Sequence, residues 1–189
     1  MQHRETQSDS IIPLAITPMD SRSERILEIF LDQSVATTRT AEVEHEYATA
    51  VADLLQENYF HLCKSPGGTP VARGPYHLHL SIQDNRLVMD IRRLAPDELG
   101  RLVEKIRERV TVPVSPFRGT VKDYFFICGS YYKEIHDASP SRLETLDMAR
   151  RSIHNDGAEL LQRLIRPDIE IDFATARRLF TLLCVLHIR

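Results

Sequence analysis

No stretch of this 189-residue chain reads as a membrane span. The most apolar run, LFTLLCVLHI at 179–188, falls short of the roughly 20 residues that cross a bilayer. No secretory signal is legible either, because MQHRETQSDS is polar and carries no apolar segment. Cysteine is scarce: Cys63, Cys128 and Cys184 lie far apart and show no CxxC pairing. Such an odd, scattered set suits reduced thiols in a cytoplasmic setting. Positive charge is not in excess, since 24 Lys and Arg stand against 27 Asp and Glu for a net charge of −3. No global field therefore exists to hold nucleic acid non-specifically, although a local basic patch stays open. P-loop, GxGxxG, GxSxG and HExxH spacings are all missing. These absences describe a soluble cytoplasmic protein with no cofactor expected, no membrane partner, and nucleic acid disfavoured as a ligand.

What is present is globular: 42% hydrophobic and 27% charged residues in a chain of single-domain length. Residues 1–24 mix Ser, Asp, Arg and Gln with two prolines and read as a flexible arm, and residues 25–189 as one domain. ILEIFL at 26–31 has the composition of a short buried strand. Thr40 is a capping residue ahead of a helix whose apolar stripe is Val43, Tyr47, Val51, Leu54 and Leu55. Residues 61–75 hold three prolines and three glycines and read as a loop.

The clearest unit spans 76–92. Tyr76, Leu78, Leu80 and Ile82 alternate with polar residues, and so do Leu87, Met89 and Ile91. A two-residue turn at Asp84-Asn85, both tolerant of positive φ, sets Ile82 opposite Leu87, Leu80 opposite Met89 and Leu78 opposite Ile91. All apolar side chains then share one face, and a one-residue slip would mix the faces. The same register puts His79 across from Asp90 and His77 across from Arg92.

Helical spacing dominates the rest. Pro96 precedes a stripe of Leu99, Leu102, Val103, Ile106 and Val110. Ser115-Pro116 and Ser139-Pro140 are start signals for two further helices. The second carries Leu143, Leu146, Ile153, Leu160, Leu161 and Leu164, with Gly157 a possible bend. Asp172 can cap FATARRLFTLLCVLHIR, which is apolar nearly all round and so belongs at the centre or at an interface. The expected fold class is α+β: a small antiparallel sheet, one early strand plus the 76–92 hairpin, packed against a largely helical C-terminal half.

The stretches PYHLHLSIQDNRLVMDIR, KDYFFICGSYY, SRLETLDMARRSIHNDGAELL and DFATARRLFTLLCVLHIR together resemble uncharacterised protein family 0262, a family of small bacterial proteins. The similarity runs from about residue 24 to the end. It implies a bacterial cytosolic protein. It brings no activity, cofactor or catalytic residue with it, so any site must come from the residues themselves.

MARRSIHNDGAELL at 148–161 is the first candidate. On a helix, Asp147, Arg151 and His154 share a face, with Arg150 and Asn155 on its flanks. Arg offers a planar fork to an anion, and His exchanges a proton near neutrality. Arg177 and Arg178, or Arg118 and Lys122, could complete such a pocket. The plain alternative is a solvated helix face of Asp–Arg pairs, each contributing little. That plain reading is the favoured one, although Gly157 weighs slightly towards function, because a mid-helix glycine asks for a packing or access reason. The metal candidates are His77 and His79, about 7 Å apart on one strand face, with Asp90 or His61 as a third ligand. A plain cross-strand pair of His79 with Asp90 explains the same residues, and no metal is expected. Cys63, beside Lys64 and near His61, is the thiol with a chance of activation, whereas Cys128 and Cys184 lie on apolar stripes. Tyr131-Tyr132 with Lys122 and Lys133 could stack on single-stranded nucleic acid, but tyrosines on a helix stripe are more often core.

Two functions remain open. One is a non-enzymatic binding or regulatory protein whose polar helix face, with Arg150, Arg151 and Asn155, holds an anionic small molecule or a protein partner. The other is a small hydrolase or transferase for a phosphate-bearing substrate, with His154 as acid or base and Asp147 or Glu159 orienting it. A homodimer through the C-terminal helix follows if one chain cannot cover Phe180, Leu182, Leu183, Val185 and Leu186.

Overall fold

The computed structural model describes residues 24–32, 40–63 and 73–187. The expected N-terminal arm, up to residue 23, lies outside them, as does most of the 61–75 loop. The order is β1 (Ile26–Leu31), α1 (Ala41–Gln56), β2 (Phe60–Leu62), β3 (Tyr76–Gln83), β4 (Arg86–Pro96), β5 (Leu102–Pro113), a 3-10 turn (Ser115–Phe117), α2 (Arg118–Glu134), α3 (Pro140–Ile165), β6 (Ile169–Ile171) and α4 (Phe173–His187). The fold is α+β, and among the described residues no helix is long and apolar enough to cross a membrane.

The hairpin forms in the register its residue pattern dictates: Leu78 faces Ile91, Leu80 faces Met89 and Ile82 faces Leu87. Asp84 and Asn85 both take positive φ, 48° and 58°, which matches the right-handed twist of the flanking strands. Leu78, Leu80, Met89 and Ile91 are buried against the helices.

Two expectations need correction. The segment from Pro96 to Val110 is not a helix. Pro96 ends β4, a turn spans 97–101, and Leu102–Pro113 is β5, paired antiparallel along β4. Asp97 organises that turn by accepting from the backbone N–H groups of Leu99 and Arg101, and Gly100 sits at φ 75°. Leu99, expected on a buried stripe, is 76% exposed. The sheet is also mixed rather than antiparallel, because β1 runs parallel to β3 in the order β1-β3-β4-β5. The intervening α1 supplies the crossover that a parallel pair requires. A second, two-stranded ribbon joins β2 to β6, pairing Phe60 with Ile171 and taking His61 and Leu62 out of the expected loop.

Three helices start where their caps predict, whereas Ser115-Pro116 opens a 3-10 turn without a side-chain cap and α2 begins only at Arg118. Thr40 accepts from Val43 N–H, Ser139 from Arg142 N–H, and Asp172 from Thr175 N–H at 2.6 Å. Helix α4 is the centre of the fold, packed on α1, α2, α3 and β3. Phe180, Leu182, Leu183 and Val185 are buried within the one chain, and Leu186 is partly buried against the same core.

Candidate functional site

Pro140 starts α3, and its 3–4 spacing turns Asp147, Arg150, Arg151 and His154 towards the same side of the bundle. Their fates differ with depth. Arg151 is 69% exposed and only reaches Asp147 at 2.7 Å. Arg150 is part-buried: one terminal nitrogen donates to Asp147 at 3.0 Å, the other lies 3.5 Å from Glu46, and the guanidinium covers the Tyr131 ring at 5.3 Å. His154 is 8% exposed, ringed by Tyr124 and Phe180.

Glu46 of α1 ties this region together. Its carboxylate accepts from the Tyr132 hydroxyl at 2.8 Å and from that of Tyr124 at 3.4 Å. Beyond it lies a pocket of about 240 Å³ where α1, α3 and α4 meet, lined by Glu46, Asp53, Arg150, His154, Arg177 and Arg178, with Thr49, Ala50, Ala174 and Thr181 between them. Small side chains from α1 and α4 leave the space open, and the charged ones border it.

Three of the side chains that line this pocket each hold a buried nitrogen without a hydrogen-bond partner: Nε of Arg150, Nε of Arg177 and Nε2 of His154. Each such group costs about 1–3 kcal/mol if left unsatisfied. The charges are under matching stress. Burial pushes the His154 pKa down to about 4, opposed by Glu46 and helped by Arg177 and Arg150, so the ring is neutral at pH 7. Burial first, then Arg150, Arg151 and Arg178, lower the pKa of Arg177. Arg150 shifts the other way: burial lowers its pKa, but the hydrogen bond to Asp147 and the charge of Glu46 outweigh it and raise the value.

The other expected residues lie elsewhere. Glu159 borders a separate groove with Cys63, Arg163 and Arg166. Asn155 does not line the His154 pocket, and Asp147 serves it only by holding Arg150. Arg118 donates instead to Asn85 at 3.4 Å. Gly157 has a packing reason, not an access reason: a Cβ there would stand 2.5 Å from Phe180 ring carbons. Cys128 is buried, its pKa pushed up to about 11, first by burial and then by Glu46; Cys184 is buried and shifted in the same direction. On the open sheet face, Asp90 is forked by Arg107 with Arg109 nearby, His79 stacks on Phe30 at 4.4 Å, and His77 sits 3.7 Å from both Glu28 and Glu104. Among the described residues no three His, Cys, Asp or Glu side chains gather to hold a metal ion.

Glu46, Asp53, Thr49 and Thr181 escaped sequence reasoning. They lie on α1 and α4, distant in sequence from α3, and nothing in their local pattern marks them.

The model of the uncharacterised protein family UPF0262 matches residues 23–189, and the chain belongs to that family. Relatives named UPF0262 protein occur in Azorhizobium caulinodans, 47% identical over 166 residues, and Paramagnetospirillum magneticum, 45% identical over 166 residues. A third, from Erythrobacter litoralis, is 46% identical over 165 residues. The alignments cover 86%, 88% and 87% of this chain and 93%, 97% and 97% of the respective relatives. No solved structure matches the chain.

Proposed function

We propose that the protein is a non-enzymatic binding protein that takes a small anionic molecule into the pocket between α1, α3 and α4. Arg150, Arg177 and His154 supply the donors, Asp147 and Glu46 hold Arg150 in place, and Arg151 keeps Asp147 charged from outside. The observation that carries the reading is that one pocket is lined by three side chains from two helices, Arg150, Arg177 and His154, each with a buried nitrogen that has no partner. Buried polar groups are otherwise almost always paired. An anion would satisfy them and relieve the repulsion around Arg177.

A hydrolase or transferase reading gains nothing from this geometry. Among the described residues no carboxylate lies within hydrogen-bonding distance of His154 to orient it, and a pKa near 4 sits far from the value an acid–base catalyst needs at neutral pH. The free thiols Cys63, Cys128 and Cys184 suit a reducing bacterial cytoplasm as the place of action.

Isothermal titration with inorganic phosphate tests the reading. Wild type should bind, Arg177→Gln should weaken binding at least about tenfold, and Arg151→Gln should stay within about twofold. Absence of binding by wild type, or equal binding by Arg177→Gln, would contradict it.

A further inference from the structure

The two sides of this pocket carry opposite charge, and they come from different helices. Helix α1 contributes only acids, Glu46 and Asp53. Helices α3 and α4 contribute only bases, Arg150, Arg177, Arg178 and His154. Most of these groups are already engaged. Glu46 accepts from two tyrosines and faces Arg150. Arg150 also holds Asp147, and Arg178 donates to the Glu57 carbonyl at 2.6 Å.

Two charged side chains remain. Among the described residues, Asp53 on α1 and Arg177 on α4 have neither an ion pair nor a side-chain hydrogen bond, and they do not pair with each other across the pocket they share. His154, more than nine-tenths buried, also lines this pocket, and its Nε2 has no hydrogen-bond partner. A simple anion would satisfy Arg177 and His154, yet it would also meet the field of Asp53. A ligand that carries both signs meets both demands at once.

We infer that the ligand is a small zwitterion, with an oxyanion and a primary ammonium a few bonds apart. The oxyanion lies against Arg177, Arg150 and His154, and the ammonium lies towards Asp53. This rests on the anion-site reading above and names the class of molecule that fills the site. A phosphoryl group brings three terminal oxygens and a double negative charge to a wall of Arg150, Arg177 and His154, which makes an aminoalkyl phosphate the member of the class to test.

Titration calorimetry with three probes tests it: inorganic phosphate, ethanolamine and O-phosphoethanolamine. Wild type should bind O-phosphoethanolamine at least about tenfold more tightly than phosphate and should not detectably bind ethanolamine. Asp53 is exposed on a helix, so Asp53→Asn should fold normally. In that variant the advantage of the amine should vanish while phosphate still binds. If phosphate and O-phosphoethanolamine bind equally to wild type, or the advantage survives in Asp53→Asn, the zwitterion inference is overturned and the anion site stands. If neither binds, both fall.

Discussion

Gly157 shows how a single residue is read one way in sequence and another in space. Its place in α3 is legible as an anomaly, because glycine weakens a helix interior. The cause is the Phe180 ring, 2.5 Å from where a Cβ would stand. Gly157 is buried in α3 and Phe180 belongs to the packed core, so an added methyl must displace an aromatic ring. Gly157→Ala should lose about 1–3 kcal/mol in urea unfolding, and Phe180→Leu added to it should recover part of that loss. His154 gives a second residue-level expectation. Folding holds it neutral with a pKa pushed down to about 4 from 6.5, chiefly by burial. The unfolded chain therefore takes up the proton first. The contribution is complete above pH 6.5 and is lost as pH falls towards 4, by about 3 kcal/mol in all. Unfolding free energies measured from pH 7 to 4 should fall more steeply for wild type than for His154→Gln.

At the scale of elements, the hairpin and β5 lie side by side and were unequally legible. Strict alternation and two turn-forming residues at Asp84-Asn85 agreed on one register, and that register is present. Asn85→Val should cost about 1–2 kcal/mol, because a β-branched residue resists φ near 58°, whereas Asn85→Gly should be neutral or stabilising in the same denaturation assay. β5 deceived because Leu99, Leu102, Val103, Ile106 and Val110 fit a helical period by chance. What decides its state is non-local: β4 offers an open edge and pairs with it as far as Pro113. The alternation of Arg107, Arg109 and Thr111 with Val110 and Val112, and the Pro-Asp…Gly turn before it, were the local signs that outweigh a loose stripe. The ribbon of β2 and β6 left no such sign, being three residues long on each side.

Across the whole molecule, the candidate site exists only because α1 and α3, from distant parts of the chain, both pack on α4. The Arg/His cluster of α3 was visible as a pattern, and Arg177 and Arg178 were named as possible complements. The α1 wall was not visible, since Glu46 and Asp53 look like ordinary surface acids until α1 packs on α4. The central claim is that His154 is buried and neutral beside the pocket we propose for an anion. Nitrogen-15 NMR of the imidazoles, with His154→Gln identifying the resonances, measures this directly across pH 3 to 8 with and without phosphate. The account predicts a His154 midpoint near 4 without phosphate that moves upward when phosphate is added, because a bound anion favours the protonated ring. A midpoint near the unperturbed value of about 6.5 that ignores phosphate would contradict it.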